Sequence, residues 1–222
     1  MINIAVDGPG GSGKSSLAKA IARELNILYL DTGALYRAIG FTALSRFGEL
    51  YTQVQVCKML ESVKVDLVYE KGVQHVLVDG EDVSDFIRTQ PVAMAASTVS
   101  AYPEVRAYLL DLQRDIAARN DVIMDGRDVG TVILPNADVK IFLTAKPEDR
   151  ALRRVNELRE KGLQAEFESV LQEVVQRDHK DMTRAISPLC QAEDAVLLDN
   201  SGMSAEETFR KALEIIRSTV SV

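Results

Sequence analysis

The stretch DGPGGSGKSS, Asp7 to Ser16, constrains this chain more than any other. It stands between INIAV (residues 2–6), a short apolar run, and LAKAIARELN, in which Leu17, Ile21 and Leu25 recur at helical spacing. The pattern predicts a strand, a glycine-rich loop and an amphipathic helix. Gly8, Gly13, Lys14 and Ser15 fit Gly-x-x-x-x-Gly-Lys-Ser, the P-loop pattern, in the context that pattern requires. Glycines let main-chain N–H groups converge on phosphate oxygens, and the helix N-terminus adds its positive dipole end. Gly8, Pro9, Gly10, Gly11, Ser12, Gly13, Lys14, Ser15 and Ser16 are therefore expected to cradle nucleotide phosphates. Lys14 would reach the β/γ-phosphates and the Ser15 hydroxyl would ligate Mg²⁺. The plainer alternative is a glycine-rich turn without a ligand, which the flanking strand and helix disfavour.

With 222 residues and 46% hydrophobic content the chain can bury a sizeable core. No linker, low-complexity tract or internal repeat divides it, so one domain with insertions, residues 1–222, is expected. The net charge of −7 argues against a nucleic-acid partner, and phosphate chemistry must come from local Lys and Arg clusters. The start MINIAVDG lacks the basic and long apolar regions of a leader, and no apolar run approaches the 18 or so residues of a membrane span. Cys57 and Cys190 form no CxxC and read as packing thiols in a reducing cytosol; His75 and His179 are equally poor metal candidates. The expectation is a soluble cytoplasmic chain, taken as a monomer.

P-loops serve switches, motors and small-molecule kinases, so the loop alone names no reaction. The nearest match to a guanine signature, TAKPED, lacks an Asp two residues after Lys146. A large ATPase engine would need more chain. What remains is a small-molecule phosphotransferase; a kinase of another acceptor, or a nucleotide-dependent switch or binding module, are the alternatives.

Acceptor-binding residues are expected in three places. After the apolar run ILYLD comes TGALYR, placing Thr32, Tyr36 and Arg37 near the start of a helix, a grip suited to phosphate or simply a capping Thr with a packed Tyr. In PVAMAASTVSAYPEVRAYLL the Tyr102-Pro103 step breaks a helix pair, across which Ser97 and Arg106 could face one another; a surface arginine is the bland reading. In QRDHKDMTRAISP the spacing of Arg177, Asp181 and Arg184 places all three on one helix face, either as ligands or as a solvated ion-pair ladder. Upstream, PEDRALRRVNELREKG holds Arg150, Arg153, Arg154 and Arg159, an arginine-rich helix suited to a mobile lid over triphosphate.

The motifs DGPGGSGKSS, LDTGALYR, DGRDVGTVI, KIFLTA and RDHKDMTRAISPL stand in the order and spacing of bacterial cytidylate kinases, and the resemblance covers essentially the whole chain. Thr32 stands where relatives often carry Ser, which keeps the hydroxyl. The resemblance implies an α/β three-layer fold with a five-stranded parallel sheet in the order 2-3-1-4-5. The strands are expected near 2–6, 27–30, 121–125, 139–143 and 195–198. It also implies a monophosphate-binding region near 32–106, a lid near 150–175, and ATP with Mg²⁺ phosphorylating CMP or dCMP. Residues 64–83, which read as short strands around a Lys-Gly turn, resemble the family's small antiparallel insert.

Roles follow the same resemblance. Thr32, Tyr36, Arg37, Arg127 and Arg177 would hold the acceptor phosphate region; Ser97, Arg106 and Asp128 would read cytosine; Asp181 and Arg184 would engage the ribose and nearby phosphates. Lys14, Asp125, Arg127 and Arg177 are the expected catalytic set, with Arg153 on ATP. The charged stretch MDGRDVG (124–130), with no helix pattern beside it to solvate its charge, then reads as a strand end at the site. Asp125 would act as a Walker-B-like carboxylate near Mg²⁺, and Arg127 and Asp128 would project into the acceptor pocket.

Overall fold

A computed structural model describes residues 1–70, 72–160 and 162–220. In chain order the elements are β1 (Asn3–Asp7), α1 (Lys14–Leu25), β2 (Leu28–Asp31), α2 (Thr32–Phe47), α3 (Gln53–Leu60), β3 (Val65–Glu70), β4 (Val73–Val78), β5 (Glu81–Asp82), α4 (Gln90–Val99), α5 (Pro103–Ala117), β6 (Val122–Gly126), β7 (Val139–Thr144), α6 (Pro147–Glu160), α7 (Phe167–Thr183), β8 (Val196–Asp199) and α8 (Ala205–Thr219). The strand order of the larger sheet is β2-β6-β1-β7-β8. Counted along the chain this is 2-3-1-4-5, and each expected strand lies within a residue of its place.

The chain divides into two compact units, residues 2–27 with 121–222, and residues 28–120 with Met1. In the first unit β1 pairs in parallel with β6 and β7, and β7 with β8. Ile4, Ala5, Val6, Ile123, Met124, Ile141 and Leu143 are at most 1% exposed, which explains why these strands read as unbroken apolar runs. The register sets Val6 opposite Asp125 and Asp7 opposite Gly126, so the polar ends of both strands finish level. Helix α1 ends at Asn26 in the left-handed conformation, and α8 begins with a Ser204–Glu207 capping box. Helices α6 and α7 pack on each other around Ala151, Val155 and Val170.

In the second unit α2 packs along α4. A Cβ at Gly40 would meet the Ala96 nitrogen at 2.8 Å, so only glycine lets the helices approach this closely. Pro103 starts α5, ending the helix pair where the sequence indicates. The insert is a three-stranded antiparallel sheet, β3-β4-β5, as expected. Lys71 of its expected turn, and Lys161 of the expected lid, lie outside the described residues.

Candidate active site

In the first unit the glycine loop joins β1 to α1. Gly8 has φ +150, and a Cβ there would lie 2.0 Å from the Leu143 carbonyl oxygen, so the loop can leave the sheet only through glycine. Gly13 caps α1 in the left-handed conformation with no side-chain cap, leaving first-turn N–H groups for an incoming anion. The Ser12 hydroxyl is fully buried without a hydrogen-bond partner among the described residues, a donor of the kind phosphate oxygens satisfy.

Lys14 is the first residue of α1 and is 5% exposed. Its Nζ donates to the Pro9 carbonyl at 2.8 Å. Burial, then Arg127 and Arg177, hold the ammonium well below the ordinary lysine range against the pull of Asp125 and Asp7. The Ser15 hydroxyl donates to Asp125 Oδ2 at 2.7 Å. A hydroxyl backed by a carboxylate suits Mg²⁺, which takes one or two protein oxygens and completes its shell with phosphates and water.

Strand β6 delivers Asp125 to Gly126, and a π-helical turn, Val129–Ile133, follows at once. The charged strand end therefore does stand beside a helical turn, unlike the expectation. Arg127 Nε donates to Asp181 Oδ2 at 2.9 Å, and Arg184 Nη2 approaches Asp128 Oδ1 at 3.5 Å. Burial pushes Asp181 up, but Arg127, Arg177 and Arg184 outweigh it and hold the carboxyl below the usual range. A Cβ at Gly10 would meet Arg127 Nη2 at 3.5 Å and the Arg177 Cδ at 3.7 Å, so both arginines lie over the loop. Arg184 departs from the expected helix face. Helix α7 stops at Thr183, and Arg184 is its extended C-cap, with Nε donating to the Ser187 carbonyl.

Within α6 the arginines divide. Arg150 is 3% exposed; its Nε donates to the Ala145 carbonyl, its Nη1 to the Gly10 carbonyl, and Nη1 and Nη2 together clasp Asp178. It ties α6, α7 and the loop together. Arg153 donates to the Ser12 carbonyl at 3.2 Å and to Asn200. Arg154 pairs with Glu157 at the surface.

In the second unit β2 runs directly into α2. Asp31, not Thr32, caps the helix, accepting from the Ala34 N–H at 2.9 Å and from Arg37 Nη2 at 2.6 Å. Thr32 and Tyr36 are buried. Arg106 is 8% exposed, lies over the Tyr36 ring at 5.4 Å and donates to the Ser100 carbonyl, so the surface-arginine reading is overturned. Ser97 stands in the last turns of α4, half-buried.

Residues 4–218 match the model of the family described as cytidylate kinase. The chain belongs to the cytidylate kinase family. Cytidylate kinase from Caldicellulosiruptor saccharolyticus is 45% identical over 99% of this chain and 97% of its own length. That from Carboxydothermus hydrogenoformans is 46% identical over 97% of each. Among solved structures, shikimate kinase from Acinetobacter baumannii in complex with shikimate has a TM-score of 0.51 at 15% identity, covering 100% of this chain and 96% of its own, a likeness of fold alone.

Several residues of this cytidylate kinase fold's polar network escape sequence reasoning. Asp7, Asp31 and Asn200 are each tied to an expected site residue or the turn beside one, and Asp178 to Arg150 of the arginine-rich helix. Only Asp31 carried a signal, as a capping type at a predicted helix start. The cysteines differ too: Cys190 is exposed rather than packed. No helix among the described residues is long and apolar enough to cross a membrane.

Proposed function

We propose that this chain transfers the γ-phosphate of ATP to CMP or dCMP, releasing ADP with CDP or dCDP. The observation that carries the reading is the uncapped α1 start: a buried lysine, a Ser15 hydroxyl held by Asp125 at 2.7 Å, and two arginines over Gly10. The attacking atom is an oxygen of the acceptor phosphate, whose second ionisation lies near about pH 6, so no general base is required. The bond from the γ-phosphorus to the bridging oxygen breaks, and charge on the transferring group is met by Lys14, Arg127 and Arg177. Ser15 would ligate Mg²⁺ carried with ATP; when bound, the ion neutralises charge on the β- and γ-phosphates.

Thr32, Tyr36 and Arg37 hold the acceptor phosphate region with Arg127 and Arg177. Ser97, Arg106 and Asp128 read the base. Asp181 and Arg184 take the ribose: Asp181 keeps Oδ1 to accept a hydroxyl while Oδ2 holds Arg127. Arg153, beside the Ser12 carbonyl, attends the ATP phosphates. Residues 1–222 serve as one kinase domain, with residues 32–106 on the acceptor and residues 150–175 as the lid, which excludes water. The substrates are cytoplasmic metabolites, so the chain acts there, as a monomer. Coupled ADP release across CMP, dCMP, UMP, AMP and GMP tests the reading. Turnover is expected with CMP and dCMP, and equal rates across the panel overturn it.

A further inference from the structure

Asp7, the last residue of β1, takes no part in the reading above, yet it is only 6% exposed. Each of its carboxylate oxygens accepts a different main-chain hydrogen. Oδ1 accepts from the Val129 N–H at 2.8 Å, and Oδ2 from the Gly130 N–H at 2.7 Å. Those consecutive amides open the π-helical turn directly behind Arg127 and Asp128. Two acceptors on one rigid side chain fix both the place and the tilt of the peptide they hold. The turn also rests on Asp7: a Cβ at Gly130 would lie 3.3 Å from Oδ2 and 3.1 Å from Lys140 Cδ. Because Asp7 immediately precedes Gly8, the phosphate loop and this turn share one anchor.

We propose that Asp7 is a positioning residue whose carboxylate, by holding the amides of Val129 and Gly130, sets Arg127 and Asp128 in the orientation in which they meet the acceptor nucleotide. This rests on the kinase reading above. The charged groups facing Asp7 are Asp128 beside the turn and Lys14 at the head of α1; the Lys140 ammonium is engaged with Asp194 and the Pro135 carbonyl. Burial raises the Asp7 carboxyl to about 6, opposed by the two amides and Lys14 and aided by Asp128. A protonated carboxyl offers one strong acceptor, not two, so the hold weakens as pH falls through about 6. The folded state binds that proton more readily than the unfolded one, so acidification relieves a buried charge. The rate falls through this group while its contribution to Tm rises.

Asp7→Asn has nearly the same shape but one acceptor, and its NH₂ faces a main-chain donor. By the usual penalty for misplacing reacting groups, kcat/KM for CMP at pH 7.5 is expected to fall about 10- to 100-fold. The ratio of wild-type to variant rates, in which titration of the substrate's own phosphate cancels, is expected to shrink as pH falls through about 6. A ratio unchanged from pH 5 to 8, or a variant at the wild-type rate, overturns the proposal. Should the variant not fold, the wild-type protein without nucleotide decides. The amide shifts of Val129 and Gly130 should titrate together near about 6, and flat shifts overturn the proposal. That measurement involves no substrate, and wild-type turnover of CMP tests the kinase reading separately.

Discussion

Two strand-to-helix turns in this chain begin their helices in opposite ways. Helix α1 begins at Gly13 with no side-chain cap among the described residues, which leaves first-turn N–H groups to an incoming anion. Helix α2 begins at Asp31, whose carboxylate already occupies the corresponding amide of Ala34. The first turn is thus an anion site built from backbone, and the second has an anion built in. An acceptor phosphate near α2 must therefore be gripped by side chains such as Arg37 rather than by the helix end. A third turn, after β6, is intermediate: Asp128 stands at the capping position but makes no capping bond, which leaves its carboxylate for other partners.

The comparison is tested most strongly at Lys14. With the backbone cradle intact but its cation gone, Lys14→Met should lower kcat by about 100-fold or more. Its Tm should hold or rise, since the lysine ammonium is buried. Near-wild-type turnover of CMP would leave α1 without its assigned role. At Arg177, exposed on α7 yet lying over Gly10, replacement by Ala should cost about 10- to 100-fold in kcat/KM, the worth of a charged hydrogen bond, with little change in Tm. A surface ladder would give unchanged kinetics.

At the intermediate turn, Asp128→Asn should narrow the CMP-over-UMP ratio of kcat/KM about 10-fold, mainly by loss on CMP. A carboxylate accepts from the cytosine amino group and repels the uracil oxygen, whereas an amide can present either sense. Equal losses on both substrates would assign Asp128 to holding Arg184 instead. The smallest effect is at α2. Asp31→Ala removes a true cap and should cost about 0.5–2 kcal/mol of stability in denaturant titration. An undiminished stability would dissolve the contrast between the two helix starts.

How legible these features were depended on how far their cause lies along the chain. The loop, the helix start at Thr32 and the charged end of β6 are local patterns, and local patterns survive in sequence. The partition of arginines did not. Nothing in PEDRALRRVNELRE distinguishes Arg150 from Arg154, because the difference is made by Asp178 and the Gly10 carbonyl, far away in sequence. Asp7 looks like a turn residue ahead of glycine, and its two partners stand 122 and 123 residues on. Helical spacing carried Arg184 past the real end of α7, where Ser187 turns the chain with φ 47.

Gly40 has a consequence for sequence drift. Gly48 and Gly80 hold positive φ with open space around an added Cβ, so a substitution there meets backbone strain but no neighbouring atom. At Gly40 the obstacle is the α4 backbone at 2.8 Å, which cannot step aside alone. Descendants of this sequence that change the first two positions strain only the local backbone, while at the third any change must arrive together with a repositioned helix. Position 40 is in that sense an evolutionary ratchet: once α2 and α4 have closed on it, single substitutions cannot lead back out.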